Sequence, residues 1–204
     1  MAIADKVQQI QSIKVLLNQL KTIDESTYFH CISVSFITEE LLKRIPDKWT
    51  TEEQEAIIAG ALLHDIGKAF VPFHIQGSSQ TLDFNRKIIM QTHPNLGYEL
   101  IKECGFDEIT EEIVLLHHER SDGSGYPVFN TDEFPVFNES NIPDYVVLVS
   151  YADMLDALIT NKPYRAGLSM QDALIQMEKE IDSGKLSYRF KKALIDFIED
   201  NTKQ

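Results

Sequence analysis

Hydrophobic residues recur at three- to four-residue intervals along most of the chain, a spacing typical of amphipathic helices. The first such segment places Ile3, Val7, Ile10, Leu17 and Leu20 on one face. Alternating patterns typical of strands are scarce, so the sequence predicts an all-α fold. The same spacing predicts further helices over residues 26–45, 51–66, 84–104, 108–119, 143–161, 169–182 and 187–200.

Several predicted helices have recognisable ends. The stretch "TTEEQEAIIAGALLHD" opens with a Thr-x-x-Glu pattern typical of a capping box, and Ser169 and Gly184 bracket another helix. The stretch "YVVLVSYA" is rich in β-forming residues but runs without a turn into "DMLDALIT", which favours a single helix. The one long irregular segment spans residues 120–142. A loop of that length in a compact domain is more often functional than idle.

Length and composition indicate a single globular domain. The chain has 204 residues, of which 43% are hydrophobic, enough for one substantial core. It contains no uninterrupted apolar window of about 18 residues and no signal-peptide start, so we expect a cytoplasmic protein without membrane insertion. Cys31 and Cys104 are too few for a disulfide framework and are interpreted as ordinary thiols.

The formal net charge of −13 limits the range of partners. A polyanionic duplex would be repelled, and the sequence has no cluster of Lys and Arg that could neutralise many phosphates. A nucleic-acid polymer is therefore not an expected partner. A small anionic substrate stays open, because a few cations or bound metal ions can reverse the field inside one cleft.

The chemistry-bearing residues are histidines and aspartates on different predicted helices. The stretch "EIVLLHHERSDGSGYP" ends an apolar run with His117 and His118 side by side. Any one such residue is ordinarily a packed or solvated side chain. Together, imidazole and carboxylate groups from several helices are typical of dinuclear sites in helical bundles. The other members are His30, His64, Asp65, His93 and Asp153.

Five stretches in order, "LLHDIGK", "THPNLG", "HHERSDGSGYP", "YADMLDAL" and "NKPYRAGLS", resemble the HD-GYP family of HD-domain metal phosphohydrolases. The resemblance implies a single-domain helical bundle with an irregular GYP loop and a metal-dependent phosphodiesterase that hydrolyses cyclic di-GMP or a related cyclic dinucleotide. It covers residues 26–204, the predicted HD-GYP-like domain. Residues 1–25 remain as an N-terminal helix that packs on the bundle or extends it.

The same resemblance implies a set of metal ligands. His30, His64, Asp65 and Asp153 would bind one divalent ion, and Asp65 would bridge to a second ion. His93, His117 and His118 would complete that second site. Iron or manganese suits the mixed imidazole and carboxylate set, and other transition metals stay open. A hydroxide bridging the two ions would attack the phosphorus atom.

Further residues are implied around the metals. Asp65 and Lys68 are the predicted catalytic residues, with Lys68 beside the nucleophile or the scissile phosphate. Tyr126, Lys162 and Arg165 are predicted to contact the substrate along with Lys68. Two alternatives stay open: Lys68 as a cation complementing a helix dipole, and Arg165 as a solvated charge at a helix end.

The GYP loop has its own predicted roles. We expect Glu119 and Asp122 to orient ligands or pin the loop rather than to bind metal. We expect Gly123 and Gly125 to permit the tight turn that brings Tyr126 back over the site.

Some positions depart from the family pattern. Ser26 stands where trinuclear members carry a glutamate, so two ions are expected rather than three. Lys162 stands where arginine is usual and Ala166 where a basic residue is common, which weakens bidentate phosphate recognition. Residues 73–81 lack the basic loop of the pattern. His74, within them, is interpreted as a surface residue.

Three functions therefore compete. The leading one is hydrolysis of a cyclic dinucleotide, with a linear dinucleotide or mononucleotides as product. The second is an HD-type phosphohydrolase acting on another nucleotide. The third is a non-catalytic module that binds a cyclic dinucleotide or a signalling protein. The complete ligand set argues against the third function. A regulatory signalling protein and a homodimer paired through the first helix are both compatible with the sequence.

Overall fold

The computed structural model describes residues 3–72, 75, 84–127, 136–162 and 165–202. Within these ranges the only β-type pairing is an isolated bridge between Lys162 and Arg165, so the all-α prediction is confirmed. The elements are α1 (Ile3–Ile23), α2 (Glu25–Lys43), α3 (Thr51–Leu63), a 3-10 helix (Ile66–Phe70), α4 (Phe84–Met90), α5 (His93–Glu103), α6 (Glu108–Leu116), α7 (Asp144–Ile159), α8 (Met170–Asp182) and α9 (Lys191–Thr202).

Local sequence signals set several helix ends. Thr50 and Glu53 form the predicted capping box at the start of α3. The Ser169 side chain accepts a hydrogen bond from the Asp172 backbone, which caps α8, and Gly184 follows that helix with φ +78°. The β-rich stretch before Asp153 is part of α7, as predicted.

One predicted helix, 84–104, was wrong at its centre. The chain breaks between α4 and α5, and Pro94 lies in the first turn of α5. Proline has no backbone N–H, so it cannot donate to the carbonyl of Met90, as a continuous helix would require. That carbonyl instead accepts a hydrogen bond of 2.7 Å from Nδ1 of His93. The break therefore fixes the orientation of a predicted metal ligand.

The main core lies between α2, α3, α6 and α7. Leu41, Ile57, Ile113, Leu148 and Leu155 from these helices are almost completely buried. Burying a side chain of this kind stabilises the fold by roughly 1.5–3 kcal/mol relative to leaving it exposed. The four helices thus form a rigid frame for the residues at their ends.

A second cluster joins α1 to the 3-10 helix. Leu20 of α1 is fully buried and packs in the same cluster as Leu63 and Ile66, which flank His64 and Asp65. The N-terminal helix therefore packs against the segment that carries two predicted ligands.

Gly67 lets the 3-10 helix approach α5 closely. A Cβ atom at this position would lie 1.9 Å from the carbonyl oxygen of His93 and 2.6 Å from the backbone nitrogen of Gly97. Only glycine permits that approach. It brings Asp65, two residues earlier, next to His93.

The predicted irregular segment 120–142 has no helix in its described parts, 120–127 and 136–142. His74, Pro135 and most of residues 73–81 lie outside the described residues. Among the helices described, none combines the length and apolar character needed to cross a bilayer.

Candidate functional site

The predicted metal ligands converge from separate elements. His30 lies in the second turn of α2, His64 and Asp65 follow the end of α3, and Asp153 lies on α7. The remaining three are His93 at the start of α5 and the adjacent pair His117 and His118 at the end of α6. Helix ends thus supply most of the site.

Asp65 lies between two groups of imidazoles and is 1% exposed. Its Oδ2 atom is 3.5 Å from Nε2 of His64 and 3.7 Å from Nε2 of His30. Its Oδ1 atom is 3.1 Å from Nε2 of His93 and 3.8 Å from Nε2 of His117. One carboxylate therefore faces both groups, the geometry expected of a bridging ligand.

Of the remaining predicted ligands, His118 belongs to the second group and Asp153 lies beside the first. Asp153 Oδ1 is 3.0 Å from Nε2 of His30 and 4.0 Å from Nε2 of His64. The His118 ring lies against His117, with ring centroids 4.1 Å apart, and its centroid is 5.1 Å from that of His93.

Backbone carbonyls orient three of the imidazoles in the same way. Nδ1 of His64 is 2.8 Å from the carbonyl of Ala61, and Nδ1 of His117 is 3.0 Å from that of Val114. His93 makes the equivalent bond to Met90. A carbonyl oxygen can only accept a hydrogen bond, so each Nδ1 carries the hydrogen. In the neutral ring, the Nε2 atom then keeps its lone pair, which is directed at Asp65.

This arrangement places acceptor atoms against acceptor atoms. Nε2 of His93 is 3.3 Å from Nε2 of His117, and Nε2 of His64 is 3.3 Å from Nε2 of His30. Asp65 Oδ1 is buried without a hydrogen-bond partner. Buried lone pairs in such contact require positive charge between them. Imidazole and carboxylate donors of this kind fit divalent transition metals.

The charge states of the buried groups show the same need for positive charge. Burial acts to lower the pKa of His64, but the charge of Asp65 outweighs it and raises that pKa, so in the metal-free chain a proton on His64 supplies part of the positive charge. Burial lowers the pKa of His117 to about 4 and also lowers the pKa of His118, so both rings are neutral at neutral pH. Burial opposes ionisation of Asp65, but the charges of Lys68 and His64 hold the pKa of its carboxyl well below its usual range. Neutral imidazoles and ionised carboxylates are the forms that bind metals.

An open cleft of about 380 Å³ lies beside this cluster. Lys68 and Lys162 both line the cleft, and Nζ of Lys68 is 2.5 Å from Oδ2 of Asp65. Met154, Ala157 and Leu158 of α7 supply an apolar wall. The cleft therefore combines cations near the predicted metal site with a surface for apolar or aromatic groups.

The turn after the histidine pair places Tyr126 over the site. The Tyr126 ring stacks on His118, with centroids 4.5 Å apart and planes 28° apart. Gly123 has φ +75°, and a Cβ atom on Gly125 would lie 2.5 Å from the backbone of Glu119 and Arg120. Both glycines are thus required where the resemblance implied a tight turn.

Glu119 and Asp122 differ in position. Asp122 accepts hydrogen bonds from the backbone nitrogen of Ser124 at 3.0 Å and from its hydroxyl at 2.6 Å, which pins the turn. Glu119 is 6% exposed, and burial raises the pKa of its carboxyl to about 7. Neither carboxylate joins the groups of candidate ligands found among the described residues.

Arg165 lies against the end of α7. Its guanidinium donates to the carbonyls of Ala157 at 2.6 Å and Leu158 at 3.4 Å, near the end of α7. It does not line the cleft formed by the described residues, whereas Lys162 does. This geometry matches the alternative of a charge at a helix end. Ala166 is exposed.

Ser26, which stands where the resemblance implies a glutamate in trinuclear members, lines the cleft. Glu25 is exposed at the start of α2. Asp24 uses its carboxylate to cap that helix, accepting from the backbone and the hydroxyl of Thr27. The carboxylate of Asp24 is therefore engaged in the helix cap.

Asp156 is a site residue that sequence reasoning missed. It is 2% exposed, and its Oδ2 accepts a hydrogen bond of 2.6 Å from Nδ1 of His30. Its Oδ1 accepts from the hydroxyls of Ser33 and, at 3.1 Å, Thr160. Asp156 therefore orients His30 as the carbonyls orient the other imidazoles. The available signal was its spacing, three residues after Asp153 and so on the same helical face.

Comparison with known proteins identifies the family. A family model for the HD domain matches residues 27–158. This chain belongs to the HD domain family. The resemblance to HD-GYP proteins is confirmed, and it covers both halves of the candidate site.

Similar HD proteins are larger than this chain. The cyclic di-GMP phosphodiesterase PA4108 of Pseudomonas aeruginosa is 32% identical over 79% of this chain and 37% of the relative. The 3'3'-cGAMP-specific phosphodiesterase 1 of Vibrio cholerae is 27% identical over 97% of this chain and 43% of the relative. The chain thus spans less than half of either relative's length.

A solved structure supports the fold. The structure of an HDG"Y"P protein, Bd1817 from Bdellovibrio bacteriovorus, superposes with a TM-score of 0.65 at 23% identity. The superposition covers 83% of this chain and 51% of that one.

Proposed function

We propose that this HD-domain chain is a metal-dependent phosphodiesterase that hydrolyses cyclic di-GMP or a related cyclic dinucleotide. The observation that carries the proposal is the shared carboxylate of Asp65, with imidazole lone pairs facing each of its oxygen atoms. Relatives named as cyclic di-GMP and 3'3'-cGAMP phosphodiesterases support this choice of substrate class.

We assign the metal ligands as the geometry favours. His30, His64, Asp65 and Asp153 would hold one divalent ion, and Asp65, His93, His117 and His118 would hold the second. Ions bound there supply Lewis acidity toward a phosphodiester and lower the pKa of water. The imidazole and carboxylate donors favour iron or manganese over a tetrahedral zinc site.

The chain's own residues would bind and orient the substrate. Lys68, whose Nζ is 2.5 Å from Oδ2 of Asp65, would hold positive charge beside the scissile phosphate. Tyr126 covers the His118 side of the site and restricts access of water, and its pKa is raised by burial, so its hydroxyl stays a hydrogen-bond donor. Lys162 offers a charge at the rim of the cleft.

The deciding experiment is a hydrolysis assay of the purified chain, supplied with Mn²⁺ or Fe²⁺, against cyclic dinucleotides and other nucleotides. We expect cleavage of a cyclic dinucleotide and loss of that cleavage in the Asp65→Asn variant. Cleavage confined to mononucleotides would favour the wider HD-type phosphohydrolase function. Tight binding without turnover in a metal-loaded sample would favour a binding module.

The metal count provides a separate test. We predict two ions per chain, because Ser26 offers no carboxylate for a third. Elemental analysis of protein purified with each metal should give about two equivalents. Three equivalents, unchanged in Ser26→Ala, would contradict the assignment. The cytoplasmic location, the division at residue 25, a regulatory partner and a homodimer stay predictions.

A further inference from the structure

The cleft beside the metal cluster contains a cation that the sequence motifs did not single out. Arg120 follows the histidine pair and Glu119, and it lines the cleft together with Lys68 and Lys162. Asp153 is the one carboxylate among the described lining residues, and it faces His30. The cleft is thus locally positive on a chain whose net charge is −13.

The three cations of the cleft differ in their partners. Lys68 is paired with Asp65. In the described part of the chain, no carboxylate forms an ion pair with Arg120 or Lys162. Both side chains are half-buried at the rim of the cleft, so their charges would face a ligand bound there. An unpaired, partly desolvated guanidinium is well suited to bind a phosphate through two parallel hydrogen bonds.

The position of Arg165 bears on the role of Arg120. Because Arg165 is bonded to the carbonyls at the end of α7, Arg120 is the arginine that lines the cleft within the described residues. It lies on the GYP-loop side, near enough to Tyr126 for its charge to oppose the burial that raises the pKa of that hydroxyl. Lys162 belongs to the segment after α7.

A cyclic dinucleotide carries two phosphate groups, and the predicted metals can neutralise only the one being cleaved. The other phosphate needs a charge of its own in the cleft. We propose that Arg120, supported by Lys162, binds this second phosphate and selects substrates that carry two phosphates. The inference rests on the proposed function and assigns its specificity to a residue outside the metal cluster.

The test compares two substrates on the Arg120→Gln variant. Bis(4-nitrophenyl) phosphate has a single phosphate, which would occupy the metal site. For cyclic di-GMP we expect KM to rise about 10- to 100-fold with little change in kcat, the effect of losing one charged hydrogen-bonding group. For bis(4-nitrophenyl) phosphate we expect no change in kcat/KM. Arg120→Lys should restore part of the affinity, because it keeps the charge without the planar fork.

Controls separate this role from a structural one. Lys192→Gln removes a charge from an exposed side chain of α9 and should affect neither substrate. Metal content should be unchanged in both variants. An equal loss on both substrates, or no loss on either, would overturn the assignment of Arg120.

Calorimetric measurement of cyclic di-GMP binding distinguishes a wrong assignment of Arg120 from a wrong proposed function. If the wild-type chain binds the dinucleotide without hydrolysing it and Arg120→Gln abolishes binding, the role of Arg120 is supported and the proposed catalysis is wrong. If the wild-type chain hydrolyses it and Arg120→Gln does so with unchanged KM, the role of Arg120 alone is wrong. If the wild-type chain neither binds nor hydrolyses it, both are wrong.

Discussion

At the scale of single residues, four of the imidazoles are oriented by the group that bonds to Nδ1, on the side of the ring away from the cluster. Backbone carbonyls fix His64, His93 and His117, whereas a carboxylate, Asp156, fixes His30. His30 lies inside α2, where backbone carbonyls are used within the helix, so a side chain from α7 supplies its acceptor. Asp156 is therefore a positioning residue.

Replacing Asp156 tests this role. Asp156→Ala should leave His30 free to rotate, and metal affinity should fall about 10- to 100-fold, as is typical when the partner of a ligating histidine is lost. A metal titration monitored by calorimetry, with thermal unfolding of the metal-free chain as reference, measures the change. Thr160→Val removes only one donor to Asp156 and should have a smaller effect. Unchanged metal affinity in Asp156→Ala would disprove the positioning role.

The adjacent histidines give a second prediction at this scale. His117→Gln and His118→Gln should each remove the second metal and lower turnover by several orders of magnitude while the fold survives. Lys68→Ala should retain both metals and reduce turnover, because its charge acts on the phosphate rather than on coordination. Metal analysis alongside activity measures all three variants. Two metals and near-normal turnover in both histidine variants would mean that the pair only packs in the core.

At the scale of elements, the site depends on helices that stop in the right places. Helix α3 ends before His64, α6 ends before His117, and Pro94 makes α5 begin again at His93. Each end supplies an imidazole at the junction between packed helices. The 3-10 helix then carries Asp65 toward α5, and the close contact at Gly67 sets that distance.

Gly67→Ala should therefore disturb both stability and metal binding. The added Cβ would overlap the His93 carbonyl, and relieving the overlap by moving α5 should cost about 1–3 kcal/mol of unfolding free energy. His93 would move away from Asp65, so the second metal should be lost first. Gly105→Ala is the control, because no atom lies within 4 Å of the added Cβ and its cost is confined to backbone strain at φ +72°. Full metal content in Gly67→Ala would contradict the prediction.

At the scale of the whole molecule, Arg189 joins the segment before α9 to residues 139–144, where the irregular segment leads into α7. It precedes α9 and donates to the carbonyl of Ile142 at 2.9 Å, to the side chain of Glu139 at 3.1 Å and to Asp144 at the start of α7. Lys48, before α3, also pairs with Asp144 at 2.5 Å. This network holds the second half of the irregular segment against the bundle.

We predict that Arg189→Met lowers the unfolding free energy by about 2 kcal/mol at pH 7, because charged hydrogen bonds are lost and the carbonyls of Glu139 and Ile142 lose their donor. Burial acts to raise the pKa of Asp144, but hydrogen bonds from Lys48 and Arg189 outweigh it and lower that pKa. The stabilisation that ionised Asp144 provides is therefore present above its unfolded-state pKa of about 4. It is lost as the pH falls through the pKa of Asp144 in the folded chain.

Denaturant unfolding across pH checks this prediction. The stability difference between the wild-type chain and Arg189→Met should be largest near neutral pH and should narrow in acid. Lys192→Met, which changes a side chain that is 86% exposed, should show no such difference. A stability difference that stays constant with pH would exclude Asp144 as its source.

The sequence by itself determined the helical class, several caps and the identity of the candidate ligands. These features depend on local patterns: apolar spacing, Thr50 and Ser169 as caps, and motifs in which ligand types occur at fixed positions. The helix over 84–104 was predicted too long, because apolar periodicity on both sides outweighed the effect of Pro94 on the backbone.

Only the tertiary structure decided which residues meet. Asp156 bonds to His30 across 126 positions of sequence, Arg120 turns toward the cleft, and Arg165 is bonded to the end of α7. Each of these contacts depends on how the helices pack and on which polar groups lack a partner where the helices meet. No local pattern encodes that choice, because the partners come from segments far apart in the chain.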